Sequence, residues 1–242
     1  MPLTELLSSL LKEEVNLYKM MLQNSLKLQN ATSDLKFLLN RDYQKRMALD
    51  FVGNHYLLNK DERNLLQRTV FSREKSQDRK SKLVPLCKIK GKNLLIDGYN
   101  VLITIETIFL SEGSVVTCDD GVLRDINAVF GKYRFKDNTE NVINSIIALI
   151  KIYQPQMVRF FYDSQVSYSG ELSKLTEQIL NTHELSGSAE TAPNVDYQLV
   201  KLSHGTDGVV ATSDGVIIDK VHHVLDIPCF MLKIKKKNIS LI

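Results

Sequence analysis

Four aspartates carry the chemical signal in this chain of 242 residues. Asp97, Asp163 and Asp214 each end an apolar run, in NLLID, MVRFFYD and GVVATSD, and Asp196 opens the helix-like NVDYQLV. If those runs are parallel strands, their carboxyl ends meet at one edge of a sheet, where open α/β proteins keep their ligand crevice. One Asp at such a position also serves as an ordinary helix N-cap. Three at one edge are harder to explain so, because two carboxylates ~4 Å apart repel by about 4 kcal/mol at an effective dielectric near 20. A divalent cation relieves that repulsion, and oxygen donors without His or Cys favour Mg2+ or Mn2+ over zinc. Such a centre suits hydrolysis of a phosphodiester, activating water and stabilising the departing oxygen. No Ser-His pair accompanies the acids, so direct attack by water is expected.

Other residue types could hold the substrate. In YDSQVSYSGEL, Ser167, Ser169 and Gly170 precede a helix, so hydroxyls and free amides could receive a phosphate, or a serine could simply cap the helix. The Arg124 guanidinium has the geometry of a phosphate clamp, yet it also stands one helical turn from Asp120 as an ion-pair partner. Tyr99, Tyr133, Tyr162 and Tyr168 are candidates for stacking on bases or for packing. The basic stretches Arg73 to Lys92 and Lys233 to Lys237 would give a sequence-independent, salt-sensitive hold on a nucleic-acid backbone, or else form a solvated surface. His183, His204, His222 and His223 lack metal-binding spacing, and no GxGxxG follows the first strand, which argues against a nicotinamide enzyme.

The elements that must position these residues follow from hydrophobic periodicity. Leu6, Leu7, Leu10, Leu11, Val15, Leu17, Tyr18, Met21 and Leu22, mostly on one face, predict a helix over residues 4–29. A short helix capped by Ser33 or Asp34 and a third over Tyr43 to His55 follow, and Asn59 with Glu62 forms a capping box opening a fourth through Phe71. These four define a helical domain over residues 1–72, with residues 73–92 as a basic linker. From residue 93 the pattern alternates. Strands are predicted at 93–97, 114–118, 157–163, 208–214 and PCFML (228–232), with helices to Leu110, at 123–129, 140–153, 170–181, 195–203 and 215–224. The expected fold class is α/β, an open parallel sheet with helices on both faces behind a small all-α domain.

Charge is divided along the chain. Arg41 to Lys92 has 14 basic and 6 acidic residues, whereas Asn93 to Ile242 has 13 basic and 18 acidic. A basic front and an acidic back suit a protein that holds a polyanion with one part and metal ions with the other. At 43% hydrophobic and 24% charged residues, the chain is no low-complexity tail. No run of 18 uncharged apolar residues occurs, and LLSSLL is broken by Lys12, Glu13 and Glu14, so neither a membrane span nor a secretory signal is expected and the cytoplasm is the expected location. Cys87, Cys118 and Cys229 lie far apart and predict neither a disulfide framework nor a zinc site.

IDGYNVL (96–102), YDSQVS (162–167), NVDYQLV (194–200) and ATSDGVIID (211–219) resemble the acidic signature of PIN-like nucleases, especially the NYN branch with its strand-ending DGxN. The stretch LLNRDYQKRMALDFVGNHYLLNKDERNLLQRTVFS (38–72), with LLIDGYNVLITIE, CDDGVLRDI, GKYR and YSGEL, resembles a largely archaeal family that joins a helical N-terminal domain to a PIN-like domain. The PIN resemblance implies metal-assisted RNA hydrolysis leaving a 5′-phosphate. It implies that Asp97, Asp163, Asp196 and Asp214 hold Mg2+ or Mn2+ and are the catalytic residues. It implies that Asn100 steadies the site or touches substrate and that Asp219 is an accessory acid; Ser164, Thr212 and Ser213 are further substrate-binding candidates beside Arg124, Ser167 and Ser169, and Asp119 and Asp120 are candidate accessory acids outside the PIN pattern. CDDGVLRD, with Asp119, Asp120, Arg124 and Asp125, departs from most PIN domains, which carry no such acidic run. RNA is the expected partner, a protein partner on the helical domain and a homo-oligomer being further options. Two other functions fit the same residues: an RNA-binding or ribonucleoprotein assembly module with a weak site, and a small-nucleotide phosphohydrolase.

Overall fold

The computed structural model describes residues 25–110, 115–126, 133, 136–206 and 208–236. The chain divides into two compact units, Met1–Glu74 and Lys75–Ile242. In the first, residues 25–39 are helical (α1), followed by α2 (Lys45–His55) and α3 (Lys60–Thr69). Their apolar faces close on a core of Ala31, Leu35, Leu39, Ala48, Leu49, Val52, Leu58, Leu66 and Val70. The capping box forms as its sequence predicts: the Glu62 amide donates to the Asn59 side chain at 2.9 Å and the Asn59 amide to the Glu62 carboxylate at 2.8 Å. The expected break near Ser33 does not occur. Ala31 and Leu35 are fully buried, and the Thr32 hydroxyl donates back to the Leu28 carbonyl at 2.8 Å, so the helix runs through. Of the helix predicted over 4–29, residues 25–29 are helical in α1 and residues 4–24 lie outside the described residues.

The second unit is built on a five-stranded sheet in the order β5-β4-β1-β6-β7, with every pairing parallel. Its strands are β1 (Asn93–Asp97), β4 (Met157–Asp163), β5 (Gly187–Ala192), β6 (Val209–Ala211) and β7 (Val224–Leu225). A separate antiparallel pair, β2 (Val115–Thr117) and β3 (Leu123–Asp125), forms a ribbon of its own. The helices are α4 (Arg73–Lys82), α5 (Gly98–Leu110), α6 (Thr139–Ile152), α7 (Ser169–Thr182), α8 (Val195–Thr206), α9 (Gly215–Ile218) and α10 (Ile227–Lys236). Strand alternation sorts the core into two layers. Leu94, Ile96, Phe160 and Tyr162 pack with α5, α6, α7 and α10, whereas Leu95, Phe161 and Val210 pack with α8 and α9. From β1 the chain steps outward through β4 to β5, then returns to β6 on the other flank of β1. The order therefore reverses between β1 and β6, and the crevice of such a sheet opens at that point. Among the described residues, no helix is long and apolar enough to cross a membrane.

Several elements differ from expectation. Residues 73–92 are not an open linker. They form α4, an isolated bridge from Leu83 to Val224 and a 3-10 turn at Leu86–Ile89, and Leu86 and Ile89 are buried. Leu123 to Asp125 is a strand rather than the start of a helix, because it pairs with β2. The helix from Gly215 stops at Ile218, and Val224 and Leu225 become the strand β7 against β6. PCFML is helical, not a strand: the Asp226 side chain accepts the Cys229 amide at 2.9 Å, an N-cap three residues ahead of its donor. Strand β5, with the sequence GSAETA, was not predicted.

Candidate functional site

Asp97 ends β1 and is 7% exposed. The next residue must be glycine, since a Cβ on Gly98 would lie 2.4 Å from the Tyr162 ring and 2.8 Å from the Phe161 carbonyl. That close approach lets α5 start directly at the strand end. One Asp97 carboxylate oxygen accepts from the Thr212 hydroxyl at 2.8 Å, and the other accepts the Asn100 amide at 3.4 Å. The Asn100 side-chain oxygen in turn accepts from the Ser213 hydroxyl. Asp214, half-buried, caps α9 by accepting the Val216 amide at 2.6 Å, and its own amide donates to the Thr212 hydroxyl at 3.0 Å. The ends of β1 and β6 are thereby tied at the switch point through Asp97, Asn100, Thr212, Ser213 and Asp214.

Burial is the main force on Asp97, pushing its carboxyl up to about 7; the Thr212 hydrogen bond opposes that, and the charges of Asp214 and Asp196 add to it. Asp196, exposed in the first turn of α8, is also raised, by partial burial and by Asp214 and Asp163, with Lys220 acting against them. The four predicted acids are therefore electrostatically linked. Register keeps them from closing up: Asp97 pairs with Phe161, so Asp163 lies two residues farther out, about 7 Å along the strand. The Asp163 carboxylate accepts the Gln165 amide at 2.8 Å, shaping the turn that leaves β4. Among the described residues, no three His, Cys, Asp or Glu side chains are grouped to hold one metal ion between them. None of the four acids enters an ion pair among the described residues.

The accessory acids behave differently. Asp120, 0% exposed in the turn between β2 and β3, receives Arg124 in a bidentate pair at 2.7 and 2.8 Å and Arg79 at 2.9 Å. Burial alone would raise its pKa, but the two guanidinium groups outweigh it and hold the carboxyl below its ordinary value. Asp219 pairs with Arg79 at 2.7 Å and with Lys75 at 2.9 Å and is lowered in the same way, against the opposing effect of burial. Arg124 also donates from Nε to the Ser213 carbonyl at 2.8 Å and is buried. Its role as a phosphate clamp is thereby corrected to the ion-pair alternative. Asp120 and Asp219 likewise serve as partners for the buried Arg79, and Asp119, next to Asp120 in the chain, is half-buried.

Comparison with known proteins finds two family matches, the N-terminal one of which runs past Glu74 into the second unit. Residues 86–229 match the family described as Domain of unknown function (DUF5616), and residues 27–82 match Protein of unknown function (DUF434). The chain belongs to the DUF5616 family. It is also 36% identical over 213 residues to Uncharacterized protein MJ0935 of Methanocaldococcus jannaschii, covering 87% of this chain and 99% of that protein. No solved structure matches.

The DUF5616 match takes in all four acids, Asp97, Asp163, Asp196 and Asp214, together with Asp120 and Arg124. Within it, Ser164 and Ser167 are exposed in the turn between β4 and α7, whereas Ser169 is buried as the first residue of α7. Of the four tyrosines considered for stacking, Tyr99, Tyr133 and Tyr162 are core residues and Tyr168 alone is exposed, at 61%. Of the basic run, Lys75, Arg79 and Lys82 are committed to contacts within the second unit, Lys82 through Asp78 and the carbonyls of Ile218 and Asp219. Sequence reasoning missed two residues. Arg79 lies in the DUF434 match and has no apolar neighbours to mark it as buried. Asp226 accepts the Leu123 amide at 2.7 Å as well as Cys229, and burial pushes its carboxyl up to about 6. Its signal was present in Asp-Ile-Pro, a cap residue with proline just inside a helix.

Proposed function

We propose that this protein is a metal-dependent ribonuclease whose acidic sheet edge binds Mg2+ or Mn2+ and hydrolyses RNA phosphodiesters. The observation that carries this reading is the contrast in partners: Asp97, Asp163, Asp196 and Asp214 share one edge and enter no ion pair among the described residues, and Asp97 is pushed up to about 7. Such a set calls for a cation. The donors fit one in kind, being carboxylate oxygens only. Mg2+ keeps several of its waters and takes one or two carboxylates, so a closed group of three is not needed. Asp97 and Asp214, on either side of the switch point, would hold the ion, with Asp196 and Asp163 reaching it through water. A bound ion supplies the Lewis acidity that activates water and stabilises the leaving oxygen. The Thr212 hydroxyl fixes the Asp97 carboxylate, and the Asn100–Ser213 pair fixes the loop that carries Asp214. In this reading the protein works in the cytoplasm, with the helical unit recruiting RNA or a protein partner.

The test incubates the full chain with single-stranded and structured RNAs in Mn2+ or Mg2+, beside Asp97→Asn and Asp214→Asn. Cleavage leaving 5′-phosphate ends is expected, abolished by EDTA and reduced about 1,000-fold in either variant, since the metal supplies several kcal/mol of the barrier reduction. Equal cleavage by wild type and variants overturns the proposal. RNA binding without cleavage would favour an assembly module, and nucleotide turnover without RNA cleavage a phosphohydrolase.

A further inference from the structure

Helix α4 has a polar sequence, REKSQDRKSK, yet Arg79 within it is only 3% exposed. Its guanidinium reaches the β2–β3 turn and both ends of α9. It donates to Asp120 at 2.9 Å in the β2–β3 turn, to both oxygens of Asp219 at 2.7 and 3.0 Å, and to the Gly215 carbonyl at 3.0 Å. Asp120 passes the contact on, because it also holds Arg124, whose Nε donates to the Ser213 carbonyl. The carbonyls on either side of Asp214 are thus each fastened by an arginine, and the two arginines share one carboxylate. Gly215 makes room for this: a Cβ there would lie 2.5 to 2.8 Å from the Arg79 guanidinium.

We infer that Arg79 is a positioning residue for the acidic edge, holding residues 212–215 in the conformation that aims Asp214 and presents Thr212 to Asp97. It acts through Asp120, Arg124 and the Gly215 carbonyl and touches neither Asp97 nor Asp214. The guanidinium is suited to this because its planar fork serves several acceptors in fixed directions, which a lysine ammonium does not. Helix α4 is therefore a working part of the site, although it precedes the first strand and lies outside the residues that match DUF5616. The metal-binding part of the inference rests on the ribonuclease reading; the part about loop geometry does not.

The experiment uses the full chain with Arg79→Gln, Arg79→Lys, Gly215→Ala and the double variant Arg79→Gln/Gly215→Ala. Amide hydrogen exchange reports the 212–218 segment, and Mn2+ affinity is read from the electron paramagnetic resonance of the free ion. Arg79→Gln and Gly215→Ala are each expected to speed exchange in 212–218 relative to the rest of the second unit and to weaken Mn2+ binding about tenfold or more, as loss of an outer support of a metal ligand does. Arg79→Lys should recover only part of the loss. The double variant should be no worse than the worse single one, since both break the same contact. Exchange in 212–218 that stays at the wild-type rate, or single effects that multiply in the double variant, would overturn the inference. If Arg79→Gln does not fold, Gly215→Ala and Arg79→Lys decide the matter through the same two readouts. A wild type that binds no Mn2+ would sink the metal reading, while the exchange data would still decide the positioning role.

Discussion

Asp120 and Asp97 are both buried carboxylates of the same unit, 0% and 7% exposed, and burial pushes both towards the neutral form. They part company in their neighbours. Asp120 faces Arg79 and Arg124 and stays below the ordinary carboxylate range, whereas Asp97 faces a hydroxyl, an amide and the charges of Asp214 and Asp196 and is pushed up to about 7. The same contrast separates Asp219, lowered beside Arg79 and Lys75, from Asp196, raised beside Asp214 and Asp163. A folded chain that pairs one set so thoroughly and leaves the other unpaired has two different uses for its acids. Paired acids such as Asp120 secure the scaffold, as does Asp226 through the Leu123 and Cys229 amides; in the proposed reading the four edge acids are the ones kept for a ligand.

Removing an acid from each set should therefore move stability in opposite directions. Asp120→Ala leaves two buried guanidinium groups without their shared partner, and breaking a buried pair in this way costs roughly 3–5 kcal/mol. Urea unfolding monitored by circular dichroism at pH 8 should register that loss. A change below about 1 kcal/mol would mean that Asp120 is no more essential than a surface acid and would erase the contrast.

Asp97→Asn is expected to do the reverse. With its pKa raised to about 7, folded Asp97 binds a proton that the unfolded chain releases near pH 4, so wild-type stability falls as pH rises from about 4 to 7 and levels off above. Asparagine has no such titration. Without divalent ions at pH 8, Asp97→Asn should be more stable than wild type by up to about 4 kcal/mol, a ceiling set by about 3 pH units at ~1.4 kcal/mol each. At pH 4 the difference should vanish. The lowered Asp120 gives the opposite trend, contributing stability that is present above the ordinary carboxylate range and lost as acid protonates it. Melting curves of both variants from pH 4 to 8 in EDTA check the signs, and an Asp97→Asn advantage independent of pH would remove burial of charge as its cause.

How much of this was readable from sequence divides along the same line. The unpaired set was visible because each strand-end acid follows a local apolar run, and local runs reveal strands. The paired set was visible only in part: Arg124, four positions from Asp120, read as an ion-pair partner, but the contacts of Arg79 join distant segments, meeting Asp219 from 140 positions away within a helix that has no apolar stripe. Arg79 therefore read as part of a basic linker. Strand β5 was hidden for a different reason: GSAETA is small and polar, and it lies at the sheet edge, where less burial is demanded of it. PCFML has the composition of a strand but was overruled by Asp226 and Pro228, which start a helix. Alternation of elements predicted the α/β class, but not the register that sets Asp97 opposite Phe161 and leaves Asp163 beyond it.

The smallest effect is the sharpest probe of whether the unpaired acids form one set. Asp196 is exposed, so Asp196→Asn should change stability by no more than about 0.5 kcal/mol, the usual range for a surface substitution. It nevertheless contributes to the field that raises Asp97, after burial and the stronger effect of the Asp214 charge. Carboxyl-carbon NMR of the metal-free protein should therefore find the Asp97 midpoint lowered by Asp196→Asn, by less than one pH unit, since screened charges at an exposed position act weakly. Asp219→Asn removes an acid whose charge is already matched by Arg79 and Lys75 and serves as the control. Equal movement of the Asp97 midpoint in the two variants would mean that it reports total charge rather than its neighbours. Movement with Asp196→Asn alone ties the first turn of α8 to the end of β1 across the crevice, a coupling that a cation bound between them would use.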